Sequence, residues 1–152
     1  MELGTYLPYL VNRLGQRFVA EITPALAARG IDVQTWRVLI ALYQRGDQPL
    51  GALADLTSIN VSTLSRLVGR TEDRGLVERR KGPDDARSVI VALTAEGRAA
   101  TEEILPTASA LEEAATADFS EAELATLRQL LVKLYGGLDA GADAKPADRL
   151  AG

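Results

Sequence analysis

Residues 50–80 read LGALADLTSINVSTLSRLVGRTEDRGLVERR, and the order of signals in this stretch decides the fold. Leu50 to Thr57 fits a short helix with Leu53, Ala54 and Leu56 facing inward, the small Ala54 standing where a neighbouring helix must approach closely. Ser58-Ile59-Asn60 is a tight connection in which Ile59 plugs the turn. Asn60 is placed to cap the next helix, its side-chain oxygen accepting one of the first free backbone N–H groups. That helix runs from Val61 to about Arg74 and stops at Gly75. On a helical wheel Leu64, Leu67, Val68 and Thr71 share one arc, with Ser62, Ser65, Arg66, Gly69, Arg70 and Asp73 opposite. Two helices joined this way form a helix-turn-helix, and the second has the apolar back and Ser/Thr/Arg front of a major-groove reader. Arginine can donate two hydrogen bonds to a guanine edge, and hydroxyls can bond bases or phosphates.

Downstream the period changes from helical to alternating. Leu76–Arg80 and Ser88–Leu93 read as two strands joined by the turn-rich, charged segment 81–87. Such a tip beside a reading helix can reach phosphates or enter a narrow minor groove. Arg87 is the natural insertion residue, with Asp85 two positions away to orient its guanidinium.

Upstream, Leu7, Leu10, Val11, Leu14, Phe18, Ile22 and Leu26 recur at helical spacing, with Pro24 expected to bend that helix or end its regular part. After Gly30, Asp32 is placed to cap a second helix carrying Trp36, Leu39, Ile40 and Tyr43 and ending near Gly46. Beyond the strands, Thr94 caps a helix from Ala95 to about Ala117, with Pro106 as a kink and Ile104, Leu105 and Leu111 on its apolar side. Ser120 and Glu123 form a capping box that opens a last helix to about Leu138. There Leu124, Leu127, Leu131, Leu134 and Leu138 make a narrow stripe suited to a helix–helix seam. The Ala/Gly/Asp/Pro tail 141–152 is expected to fray.

The 152 residues contain no Cys and no His, which argues against disulfide, thiol-redox, zinc-finger and Ser-His-Asp chemistry. No nucleotide-binding or nucleophile-elbow motif occurs, so no enzyme is expected, and no cofactor or metal. The start lacks a basic leader followed by an apolar stretch, and no run of about 18 apolar residues occurs. A cytoplasmic protein without a membrane partner is the expectation. The formal charge of −4 argues at first against a partner made of phosphates. Its distribution reverses that: residues 99–152 are net −6, whereas 61–98 are net +2 and 61–83 net +3. Charges farther than roughly 8 Å are largely screened at cellular salt, so the local patch governs.

The motifs Ser62-Thr63-Leu64-Ser65-Arg66-Leu67-Val68, Arg74-Gly75-Leu76-Val77, Asp85-x-Arg87 and Leu93-Thr94-x-x-Gly97, in this order, make the chain resemble the MarR family of bacterial transcriptional regulators. The resemblance spans roughly residues 6–138. It implies a mainly α (α+β) protein with a winged helix-turn-helix DNA-binding domain at 32–94. Residues 1–31 and 95–140 would form a helical dimerisation domain, leaving 141–152 as a flexible tail. It also implies a homodimer that binds a pseudo-palindromic double-stranded DNA operator and acts as a ligand-responsive repressor. By position, Ser62, Thr63, Ser65, Arg66 and Arg70 would lie on the recognition helix, and Asp85 and Arg87 on the wing. Three residues depart from the family pattern, Gly69 replacing a frequent acidic residue, Thr71 a frequent Leu and Ala86 a second wing Arg, and Ser58 occupies the position of the helix-turn-helix turn where Gly is commoner.

The Leu stripe gives the dimer an independent reason, since it would otherwise be an exposed apolar ridge. For the effector, the resemblance points to a cavity where the dimerisation helices meet the DNA-binding lobe, with Tyr9, Arg13, Arg17, Trp36 and Tyr43 as candidate lining. An Arg near aromatic walls suits a small aromatic or phenolic acid. The competing assignment makes Trp36 and Tyr43 core residues and leaves Arg13 and Arg17 solvated or paired. The competing function is a winged-helix protein-interaction module without DNA binding.

Overall fold

The computed structural model describes residues 2–85 and 87–142. Ala86 and positions 143–152, most of the tail expected to fray, lie outside the described residues. The chain divides into two compact units, Met1–Leu111 and Glu112–Gly152.

In the first unit a short 3-10 helix, Leu3–Thr5, precedes α1 (Leu7–Ala27), which carries Pro8 in its first turn. Pro24 does not end it, and the helix runs on to Ala27. Only Ile22 and Leu26 of α1 are buried, whereas Leu7, Leu10, Val11 and Leu14 are exposed. Asp32 caps α2 (Val33–Arg45), its Oδ1 accepting the Thr35 N–H at 2.7 Å, and Val38, Leu39 and Leu42 face the core. β1 (Gln48–Pro49) leads into α3 (Leu50–Thr57). The inward side of α3 is Leu53, Ala54 and Thr57, and Leu56, expected to face inward, is 46% exposed. The Thr57 hydroxyl donates to the Leu53 carbonyl at 2.7 Å, which lets a polar residue take the buried place.

Ser58 adopts the left-handed conformation (φ 55°) at the turn, and Ile59 is buried beneath it. α4 (Val61–Asp73) is capped by Asn60, whose Oδ1 accepts the Thr63 N–H at 2.8 Å. Its end is a paired closure in which Gly75 donates to the Glu72 carbonyl at 2.8 Å and Leu76 to that of Thr71 at 3.2 Å. Gly75 holds φ 74°, which a side chain would disfavour. Leu76 therefore belongs to the helix ending, and β2 runs Val77–Lys81, one residue later than its sequence pattern suggests. β3 (Val89–Leu93) likewise begins one residue late, because the Ser88 N–H is turned into the loop toward the Asp85 carbonyl at 2.9 Å. The sheet has the antiparallel order β1-β3-β2, with Arg79 opposite Val91 and Gln48 on the other side of Val91. β1 was not foreseen, as two residues including a proline carry no alternating signal.

α5 (Ala95–Ala115) passes through Pro106 and buries Gly97, Thr101 and Ile104, while Leu111 packs on the core. Thr94 ties its start to the end of α4: the hydroxyl donates to the Gly75 carbonyl at 2.6 Å and accepts the Gly97 N–H at 2.9 Å.

In the second unit, α6 (Glu121–Ala142) opens with the expected capping box. The Glu123 carboxylate accepts the Ser120 N–H at 2.9 Å and the Ser120 hydroxyl accepts the Glu123 N–H at 3.3 Å. The Ser120 N–H, and then its hydroxyl, hold the Glu123 carboxyl below the usual carboxylate range. Leu124 and Leu127 are half-buried, but Leu130, Leu131, Leu134 and Leu138 are exposed.

Candidate nucleic-acid interface

α4 carries its apolar back inward as its spacing requires: Leu64, Leu67, Val68 and Thr71 are all buried. Their burial leaves Ser62, Thr63, Arg66 and Arg70 exposed and Ser65 half-buried, so the five recognition-helix candidates share an accessible front. The Ser62 hydroxyl donates to Asn60 Oδ1 at 2.9 Å, which leaves its oxygen as an acceptor. Val61, 51% exposed at the helix start, adds an apolar group to this front that sequence reasoning did not single out.

The hairpin of β2 and β3 places Asp85 and Arg87 at an exposed tip. Asp85 was expected to orient the Arg87 guanidinium. Instead, Asp85 Oδ1 accepts the Arg87 backbone N–H at 2.9 Å, an arrangement that shapes the loop. Below the tip, Gly82 donates to the Ser88 carbonyl at 2.8 Å and closes the loop.

The cations of this lobe fall into two sets. Arg79 is held by Glu72, with Nη2 at 2.7 Å and Nε at 2.8 Å from Oε2. Arg80 pairs with Glu78 and lies 3.3 Å from Asp47, and the Glu78 partner raises its already high pKa. Among the described residues, no ion pair takes up Arg66, Arg70, Arg74, Lys81 or Arg87. Arg74 and Lys81 were not among the sequence candidates. Their signal was available as charge just outside the helix and strand that carry the named residues.

The five effector candidates are placed on α1 and α2. The Arg13 guanidinium lies 5.6 Å from the Tyr9 ring centre, and Arg17 pairs with Glu21 at 2.6 Å. Trp36 is half-buried and packs against the core. Tyr43 has Arg98 5.2 Å from its ring centre and donates to Glu102 at 3.4 Å. A groove of about 420 Å³ between α1 and α2 is lined by Asn12, Gly15, Gln16, Val19, Ala20 and Arg37, and the five candidates are not among these residues.

A buried-back helix preceded by a left-handed turn and followed by an antiparallel hairpin is a winged helix-turn-helix, the architecture of a DNA-binding regulator. The sequence profile of the MarR family matches residues 29–88. A MarR family transcriptional regulator from Silicibacter pomeroyi is 30% identical and superposes with a TM-score of 0.82 over 89% of this chain and 91% of that one. A mutant of MarR from E. coli, solved in complex with operator DNA, is 27% identical with a TM-score of 0.74, over 86% and 94% of the two chains. NadR in complex with 4-hydroxyphenylacetate is 28% identical with a TM-score of 0.77, over 82% and 88%. The chain belongs to the MarR family of DNA-binding transcriptional regulators. Among the described residues no helix is long and apolar enough to cross a membrane.

Proposed function

We propose that the protein is a ligand-responsive repressor that binds a pseudo-palindromic DNA operator as a homodimer. The observation that carries DNA reading is the exposed front of α4, with Ser62, Thr63, Ser65, Arg66 and Arg70 set over a fully buried back. Around it, Arg66, Arg70, Arg74, Lys81 and Arg87 have no carboxylate partner among the described residues and so are available to phosphates and base edges. Arg87, on a tip shaped by Asp85, is the wing's inserting group.

Two recognition helices must lie about 34 Å apart to enter successive major grooves, which one copy cannot supply. The exposed residues Leu7, Leu10, Val11 and Leu14 of α1, and Leu130, Leu131, Leu134 and Leu138 of α6, are the apolar surface a second copy would cover. For the effector, the groove beside Asn12, Gln16 and Arg37 has a volume within the range of small-molecule sites. Arg37 would bind a carboxylate there, and the amides a phenol. The 4-hydroxyphenylacetate held by NadR supports that ligand class.

The test is selection of bound duplexes from a random DNA pool, followed by affinity measurements on the winning sequence with Arg66→Ala and Arg87→Ala. Each variant should bind the selected duplex at least roughly tenfold more weakly, the equivalent of about 1.4 kcal/mol, while folding and dimerisation persist. Variants that bind like the parent would assign the surface to a protein partner instead. A stable monomer at micromolar concentration in light scattering would overturn the dimer.

A further inference from the structure

β2 is an edge strand, since β3 lies on one side of it and, among the described residues, no strand on the other. An edge leaves outward N–H groups without partners in the sheet. The Arg79 N–H is such a group, and it donates to Glu72 Oε1 on α4 at 2.8 Å. The other carboxylate oxygen takes the Arg79 guanidinium through both Nε, at 2.8 Å, and Nη2, at 2.7 Å. One side chain thus fastens the recognition helix to the base of the wing at three points. The guanidinium so held lies beside Gly69, where an added Cβ would stand 3.9 Å from Nη2. The Arg79 N–H first, and its guanidinium next, also hold the Glu72 carboxyl below the usual carboxylate range.

We infer that Glu72 is a positioning residue for DNA reading: it sets the wing relative to the recognition helix and withholds Arg79 from the phosphates. The inference rests on the DNA-reading proposal above. The two contributions of Glu72 have opposite signs, which makes the role measurable. A carboxylate near DNA repels every duplex alike, so its removal by itself would raise affinity for any sequence. A lost clamp instead lets the wing and α4 move apart. That weakens the one duplex that needs Arg87 and the α4 front in fixed register.

The experiment uses the full chain, a selected duplex and a scrambled one of equal length, with Glu72→Ala, Glu72→Gln, Arg79→Ala and the Glu72→Ala/Arg79→Ala pair. Melting temperature is recorded for each. In Glu72→Ala and in Arg79→Ala the ratio of selected to scrambled affinity should fall by roughly tenfold, with no further loss in the double variant, as expected for partners in one contact. Arg79→Ala should leave the salt dependence of binding unchanged, because Arg79 neutralises no phosphate. Without DNA, exchange of the Arg79 amide should quicken in Glu72→Ala, whereas Glu72→Gln, which keeps an oxygen acceptor, should retain slow exchange. An unchanged affinity ratio in Glu72→Ala with a parent that discriminates would overturn the inference, as would a shallower salt dependence in Arg79→Ala. A parent that discriminates between no duplexes would instead overturn DNA reading, and the amide exchange would still decide whether the clamp exists.

Discussion

Gly97→Ala is the substitution whose cost is set most directly by geometry. Gly97 is buried in the first turn of α5, where an added Cβ would come within 2.8 Å of the Leu76 carbonyl carbon and 3.2 Å of its Cα, and closer still to the carbonyl oxygen. The obstructing atoms are backbone, so no rotamer relieves the clash. Leu76 cannot withdraw cheaply, since its N–H donates to Thr71 and its carbonyl accepts the Thr94 N–H, each at 3.2 Å. The Thr94 hydroxyl further binds Gly75 and Gly97 at 2.6 and 2.9 Å, so moving α5 breaks several bonds together. Overpacking costs typically 1–3 kcal/mol, and a rigid backbone obstacle belongs at or above the top of that range, about 3 kcal/mol. For a protein of this size that corresponds to a fall of roughly 6–12 °C in Tm. The assay is thermal unfolding followed by far-ultraviolet circular dichroism at one fixed protomer concentration, because association shifts Tm. Gly136→Ala in α6 is the control: an added Cβ there meets nothing within 4 Å, and Tm should hold or rise. A Gly97→Ala melt within about 2 °C of the parent would refute the packing argument, since that shift corresponds to less than the 1 kcal/mol lower bound for overpacking.

Asn60→Ala removes the acceptor for the Thr63 N–H and should cost about 0.5–2 kcal/mol in urea unfolding; no change would deny Asn60 its capping role. Gly69→Ala should instead stabilise by up to about 1 kcal/mol, because the new methyl stands at ordinary contact distance from Arg79 and the helix gains propensity. Destabilisation would mean that Arg79 sits closer to the helix. Acidification should leave Tm nearly flat down to the ordinary carboxyl range and lower it below. Glu72 and Glu123 both have pKa values below their unfolded ones, so their contributions are present above the unfolded pKa and lost as pH falls through the folded values. Replacing both with Gln should flatten the acid limb, and an unchanged limb would exclude them as its cause.

Much of the architecture was legible because its signals are local. The Leu64, Leu67, Val68 and Thr71 arc, the Asn60 and Asp32 caps and the Ser120–Glu123 box each involve residues within a turn or two, and all appear as read. The misreadings were contests between neighbours. Leu56 and Thr57 compete for one inward place, and the threonine takes it because position 57 shares the helical face of Leu53 and Ala54, its hydroxyl being satisfied there by the Leu53 carbonyl. Leu76 and Ser88 have strand-like surroundings, but their N–H groups are spent on a helix ending and a loop. In the candidate interface the exposed face of α4 followed from its buried one, whereas Asp85 turned out to hold the chain's own backbone.

Periodicity, capping residues and turn chemistry were sufficient to place the helices, the hairpin and the side of α4 that faces outward, because each is decided by interactions a few residues long. Which cations remain unpaired was a tertiary outcome. Arg66 and Arg79 look alike along the chain, yet the fold brings Glu72 against the second across a helix, a turn and a strand, and leaves the first without a carboxylate partner among the described residues. The demand for glycine at position 97 is of the same kind, since it arises from the Leu76 carbonyl some twenty residues earlier in the chain. Electrostatic pairing and steric exclusion act through space, so the availability of a charge and the tolerance of a methyl group are settled only once the elements have packed.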